Sequence, residues 1–126
     1  MRQAAEALAQ DLVAKARDVN GVKVVTGRFE MMPNAAKDLV FKVRELTGEN
    51  LLCVVGTVFD GKPLLNVILS DDMVKDHSLN AGQLVREAAK LIQGGGGGQP
   101  HFASAGGKNP DGLSAAIDKV VELSNL

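Results

Sequence analysis

The residues best suited to chemistry lie between Gly94 and Lys108, in the run Gly94-Gly95-Gly96-Gly97-Gly98-Gln99-Pro100-His101-Phe102-Ala103-Ser104-Ala105-Gly106-Gly107-Lys108. Side chains are nearly absent here, so the backbone at Gly95, Gly96, Gly97, Gly98, Gly106 and Gly107 can approach another molecule closely. Lys108 precedes Asn109-Pro110, a cap and first-turn pair that open a helix. Exposed amides, a positive helix end and a lysine together suit a phosphate group. Arg86 and Lys90 stand one helical turn apart on the segment leading into the glycines, and with Lys108 they form a candidate positive patch. His101 is expected to face the ligand from within the glycine motif. A flexible linker is another reading of five glycines, but it leaves the small residues from Ala103 to Gly107 unexplained. The run is not a Walker loop, because Lys108 is followed by Asn109, and no strand immediately precedes it as a dinucleotide fingerprint requires.

A second candidate contact is Lys37, Phe41 and Arg44, which place an aromatic ring between two cations on one helix face. Other suggestive residues carry bland readings. Cys53 sits among Leu51, Leu52, Val54 and Val55, so it is expected to be a small core residue, since a nucleophilic thiol needs an accessible, electropositive setting. Asp71 and Asp72 are expected at a strand end and a helix start, and Asp76-His77 in a surface loop. One cysteine and two histidines do not supply the ligands of a structural zinc site. No catalytic residue and no metal ligand is assigned.

The elements that must carry these residues follow from apolar spacing. From residue 2 to Asp18, Ala5, Leu8, Leu12, Ala16 and Val19 recur at helical intervals up to Asn20-Gly21, and this uncapped helix is expected to continue from an upstream region. Val22 to Glu30 reads as a strand. A helix opens at Pro33-Asn34, buries Ala36, Leu39, Val40, Val43 and Leu46, and is capped by Gly48. Leu51–Phe59 and Leu64–Leu69 form a hairpin across Asp60-Gly61-Lys62-Pro63, and their unbroken hydrophobicity predicts helices on both sheet faces. A polar loop covers 70–78. Leu79 to Gln93 reads as a helix facing inward with Ala81, Leu84, Val85, Ala88, Leu91 and Ile92, the glycine segment as a loop, and Pro110 onward as a last helix through Leu113, Ile117, Val120, Val121 and Ser124. The fold class is therefore α/β, a small mixed β-sheet flanked by helices.

The 126 residues fit one domain, and 45% hydrophobic with 23% charged residues is globular composition. A net charge of −1 and the absence of Tyr and Trp exclude a strongly basic binder and a broad stacking platform. Any nucleic-acid contact must be local and rest on phosphate and shape. No stretch has the length of a membrane span, and a cytoplasmic location is expected.

Gly94 to Gly98, Pro100, Ala103 and Ala105-Gly106-Gly107-Lys108 closely resemble the glycine stretch near the C-terminus of bacterial alanyl-tRNA synthetases, and Ala81-Gly82-Gln83-Leu84-Val85, the hairpin and the first helix follow in that family's order. The resemblance implies residues 1–20 as a linker helix and 21–126 as a C-terminal globular tRNA-binding domain. It implies contact with the outer corner of alanine-specific tRNA, catalytic and editing domains upstream, and self-association in some members. It also implies ATP and magnesium for aminoacylation and zinc in the editing domain of the whole enzyme, with no cofactor in this part. The wider group accompanies DHH-type phosphoesterases, whose G-G-G-H-x-x-A-A-G motif keeps its histidine-to-glycine spacing from His101 to Gly106. Gln99-Pro100 replace glycines ahead of that histidine, and proline removes an amide donor, so the synthetase resemblance is preferred.

Overall fold

The computed structural model describes the backbone of residues 2–126 and the side chains of residues 6–126; Ala5, placed by spacing in the first helical stripe, lies outside the described side chains. In chain order the elements are α1 (Arg2–Ala14), β1 (Arg17–Val19), β2 (Val22–Glu30), α2 (Pro33–Thr47), β3 (Leu51–Phe59), β4 (Lys62–Leu69), α3 (Asp71–Lys75), α4 (Ala81–Ala88), β5 (Gly95–Gly98), β6 (Phe102–Gly106) and α5 (Leu113–Leu123). The strands form one mixed sheet in the order β1-β2-β3-β4-β6-β5. Only β2 and β3 pair in parallel, with α2 as their crossover, and every other neighbour is antiparallel. This is the expected α/β class.

Both faces of the sheet are covered, which is why β3 and β4 read as nearly unbroken apolar runs. On one face Val54, Leu65, Val67 and Leu69 meet Leu84, Val85 and Ala88 of α4 and Leu113, Ile117 and Val120 of α5. Gly56 lets α5 cross close to the sheet, since a Cβ there would lie 2.9 Å from Leu113 and Ile117. On the other face Val25, Cys53, Val55 and Ile68 meet Leu39, Val40 and Val43 of α2 and Ala9 and Leu12 of α1. Each fully buried leucine contributes about 1.5–3 kcal/mol. Cys53 is in this core as expected, and burial pushes its thiol pKa up, away from a reactive thiolate.

Several local expectations are corrected. The first helix ends at Ala14, and Arg17–Val19 pairs with Val22–Val24 across an Asn20-Gly21 turn. Both turn residues have positive φ, 53° and 88°, which Asn-Gly adopts readily in a two-residue hairpin. The polar segment after β4 contains the short helix α3. The helix expected from Leu79 to Gln93 runs from Ala81, capped by the Asn80 side chain, to Ala88 and then tightens into a 3-10 turn over Ala89–Ile92. That tighter period turns Leu91 outward instead of into the core, and it is 40% exposed. Leu46, on the last turn of α2, is likewise exposed. Gly48 caps α2 as expected, donating its N–H to the Arg44 carbonyl at 2.8 Å.

Candidate nucleic-acid interface

The glycine segment is not a loop. Gly95–Gly98 is the edge strand of the sheet, paired with Phe102–Gly106 so that Gly95 faces Gly106 and Gly98 faces Ala103. The chain returns from α4 to this edge and then passes back between it and β4. Alternate glycines are needed for that close turn. A Cβ at Gly94 would strike Gly106 and Gly107, one at Gly96 would strike Ser104 and Ala105, and one at Gly98 would lie 2.7 Å from the Phe102 carbonyl. Gly95 and Gly97 differ: a Cβ at Gly95 meets nothing within 4 Å, and at Gly97 only Arg86 Nη2 at 3.9 Å. Neither has a positive φ.

The amides expected to greet a phosphate near Lys108 are engaged within the fold. Gly107 donates to the Pro63 carbonyl at 3.1 Å, while Lys108 and Asn109 both donate to the Ile92 carbonyl at 2.8 and 2.9 Å. Asn109 caps a 3-10 turn over Pro110–Gly112, its Oδ1 accepting from Asp111 N at 3.3 Å, and α5 itself begins only at Leu113. The anion nest anticipated at this helix start is therefore closed, and what remains for a ligand is the exposed Lys108 side chain. Hydrogen-bond demand explains the closure: Ile92 ends a tight turn, and its carbonyl needs donors.

The predicted patch is divided. Arg86, exposed on α4, reaches Gly97, and no ion pair involves it among the described residues. Lys90 bonds Glu87 Oε2 at 2.9 Å, and that bond, with the lysine's charge, lowers the Glu87 pKa. Lys108 lies with Gly106, Gly107, Gly94 and Gln93 along a groove at one end of the edge hairpin. His101 lies at the opposite end, in the turn between β5 and β6, half-buried, with its carbonyl accepting from Leu69 N at 2.8 Å. His101 and Lys108 thus flank the hairpin from opposite ends.

The second candidate face is largely occupied internally. Phe41 packs on Phe102 with ring centroids 4.8 Å apart, Lys37 Nζ stands 6.0 Å from the Phe102 ring, and Arg44 Nη2 bonds Asp71 Oδ1 at 2.7 Å. Lys37 is exposed and makes no ion pair among the described residues. Asp72 accepts from Asn50 N at 3.0 Å and ties α3 to the start of β3. Burial pushes the Asp72 carboxyl up, but hydrogen bonds with the Ser70 side chain and the Asn50 and Asp72 amides, and the His77 charge, outweigh it and hold the pKa below its usual value. The acids at 71–72 are structural. Among the described residues no three His, Cys, Asp or Glu side chains stand close enough to hold a metal ion, and no helix is long and apolar enough to cross a membrane.

Residue-type reasoning missed the groove's other lining. Phe59, Lys62, Thr57, Leu64 and Pro33 join Lys108 and the glycines there. Phe59 at a strand end beside the Asp60-Gly61 turn was the available signal.

A mixed sheet with α2 as its parallel crossover, ending in a glycine edge strand folded back beside β4, defines the class. The chain belongs to the DHHA1 domain family, whose profile matches residues 20–125. Within that family its likeness is to alanine–tRNA ligases: it is 49% identical over 126 residues to that of Bacteroides fragilis and 48% identical over 126 residues to that of Bacteroides thetaiotaomicron. Each alignment takes in 100% of this chain and 14% of the relative, so the chain spans about one-seventh of those proteins' length. The solved C-Ala domain from Aquifex aeolicus alanyl-tRNA synthetase superposes with a TM-score of 0.78 at 25% identity, over 88% of this chain and 98% of that one. The exonuclease RecJ bound to manganese shares the fold, with a TM-score of 0.65 at 20% identity over 98% of this chain and 29% of that chain.

Proposed function

We propose that this chain is the C-terminal module of an alanine–tRNA ligase and that it holds the outer corner of alanine-specific tRNA without performing chemistry. The observation that carries the tRNA role is the bare edge strand. Gly95 and Gly97 have room for side chains and ordinary backbone angles, yet carry none, and the guanidinium of Arg86, which makes no ion pair among the described residues, stands beside Gly97. Packing does not account for those two glycines, whereas close approach of an RNA backbone does. The identity to alanine–tRNA ligases supports the same reading.

Under this proposal the aminoacylation and editing domains lie upstream, use ATP and magnesium, and hold zinc in the editing domain; the protein works in the cytoplasm. Among the described residues no three His, Cys, Asp or Glu side chains stand close enough to hold a metal ion, and the part this proposal gives the chain is to bind and orient. Self-association of the module, through the Ala-rich first helix or the Phe41 face, is the other role; of these, the Phe41 face is weakened because Phe41 packs on Phe102 within the chain. The phosphoesterase reading is weaker still, because Pro100 and Gln99 occupy the turn ahead of His101 and the Pro100 carbonyl is taken by Ala81 N at 2.8 Å.

The test is tRNA affinity as a function of salt. Lys108→Glu leaves the backbone bonds to Ile92 in place, and Arg86→Glu changes an exposed helix position. Each should weaken binding and flatten the dependence of log affinity on log salt by about 0.7 to 0.9 per lost phosphate contact, with Asp118→Ala as a surface control. Folded variants that bind with the parent's affinity and slope would remove the patch from the interface.

A further inference from the structure

We infer that the groove at the free end of the β3–β4 hairpin is a nucleotide subsite in which Phe59 stacks on one RNA base while Lys62 and Lys108 hold its phosphate. The inference rests on the reading of the chain as a tRNA-holding module, and adds to it a site at residues that no resemblance assigned.

Pro33, the first residue of α2, lines one side of the groove. Pro33, the buried Thr57, the half-buried Leu64 and the exposed Phe59, Lys62 and Lys108 line a cavity of about 580 Å³ there, with Asp60 its one acid. That volume suits a nucleotide-sized ligand. Thr57 and Phe59 are two apart on β3, and Lys62 and Leu64 two apart on β4. Phe59 pairs with Lys62 and Thr57 with Leu64, so all four project from one face. Cross-strand partners such as Phe59 and Lys62 have Cβ atoms about 5 Å apart. The Gly107 N–H on the Pro63 carbonyl then draws Lys108 alongside Lys62.

Elimination singles out the ring. The chain has four phenylalanines and no other aromatic of that kind. Phe41 and Phe102 pack on each other, and Phe29 packs against the α1–α2 core. Phe59 is 46% exposed. Neither Lys62 nor Lys108 makes an ion pair among the described residues. The wall at Gly106 is bare without packing need, since a Cβ there would come no closer than 3.9 Å to Pro63 O. One free ring beside two free cations, over a wall of uncovered backbone, matches a base joined to a phosphate.

The sequence contains no tryptophan, so Phe59→Trp introduces a sole indole into the groove. Titrated with tRNA, its fluorescence should be quenched while affinity by mobility shift is kept, whereas Leu123→Trp at the end of α5 should give an unmoved signal. Phe59→Leu should weaken tRNA binding about fivefold or more, the loss expected for one stacked base. Lys62→Ala should flatten the salt slope by about 0.7 to 0.9. If the parent and the Phe59→Trp variant bind tRNA with no change in indole emission, and Phe59→Leu and Lys62→Ala bind as the parent does, the subsite is wrong and the tRNA-holding role stands. Equal quenching at both tryptophan positions also overturns it. A parent chain that binds no tRNA even at low salt overturns the holding role and the subsite with it. Should Phe59→Trp fail to fold, Phe59→Leu and Lys62→Ala decide the question.

Discussion

The β3–β4 and β5–β6 hairpins lie side by side in one sheet but are specified by opposite means. In the first, Leu52, Val54, Leu65, Val67 and Leu69 fill one core while Cys53, Val55 and Ile68 fill the other, so side chains fix register and position. In the second, Gly94, Gly96 and Gly98 hold their place because they lack side chains that would collide with β6. Filled space builds the centre and empty space builds the edge. A glycine run can therefore encode a definite strand, provided that neighbours forbid anything larger at every second position.

The largest expected effect comes from breaking that alternation. Gly96→Val must displace Ser104 or Ala105 backbone and should cost about 2–3 kcal/mol in urea unfolding. Gly95→Ala should stay within about 0.5 kcal/mol of the parent, since its Cβ meets nothing. Equal losses in the two variants would mean that the edge strand needs glycine throughout and that the alternation is not what specifies it.

A smaller effect, of opposite sign, is expected in the central hairpin. Asn66 sits between Val55 and Ser104 in the register, and its buried Nδ2 has no partner among the described residues. Asn66→Val should raise stability by about 1 kcal/mol by removing an unmet donor. A fall in the melting temperature would show that the amide is satisfied and that the centre is not specified by apolar filling alone.

The smallest effect concerns the tie between α3 and β3, for which the edge hairpin has no counterpart. Asp72→Ala should cost about 0.5–1 kcal/mol at neutral pH through loss of the bond to Asn50 N. The folded pKa lies below the ordinary carboxylate value, so this stabilisation is complete above the unfolded-state pKa and disappears as pH falls through the folded one. Parent and variant should therefore converge in acid. A gap in stability that persists at low pH would assign the effect to something other than the carboxylate.

Much of the centre was legible in the sequence. Two apolar runs around Asp60-Gly61 gave the hairpin, helical spacing gave α2 and α5, and the five glycines with Ala105-Gly106-Gly107-Lys108 carried the family resemblance. The edge was less legible, because period-two reasoning reads side chains and β5 has none. Asn20-Gly21 looked like a helix end because apolar spacing ran through Ala16 and Val19, while the competing hairpin signal depended on pairing with β2. At the site, charge type was visible but engagement was not: spacing marks Arg44, Lys90 and the amides of Lys108 and Asn109, but only the tertiary structure shows Asp71, Glu87 and the Ile92 carbonyl already in contact with them. Phe59 escaped attention because it closes a largely buried apolar run, and only the fold shows that this last strand residue is exposed.

The lack of side chains along β5 has a further consequence for life in a crowded solution. A bare sheet edge is an invitation for the strands of other molecules to zip on, and proteins commonly deter this with charges, prolines or bulges. Glycine is among the poorest strand formers and offers no surface for a dry, interlocking seam. This molecule can thus carry an uncovered border without seeding fibres of its own kind, because the missing side chains that leave the edge bare also discourage clumping.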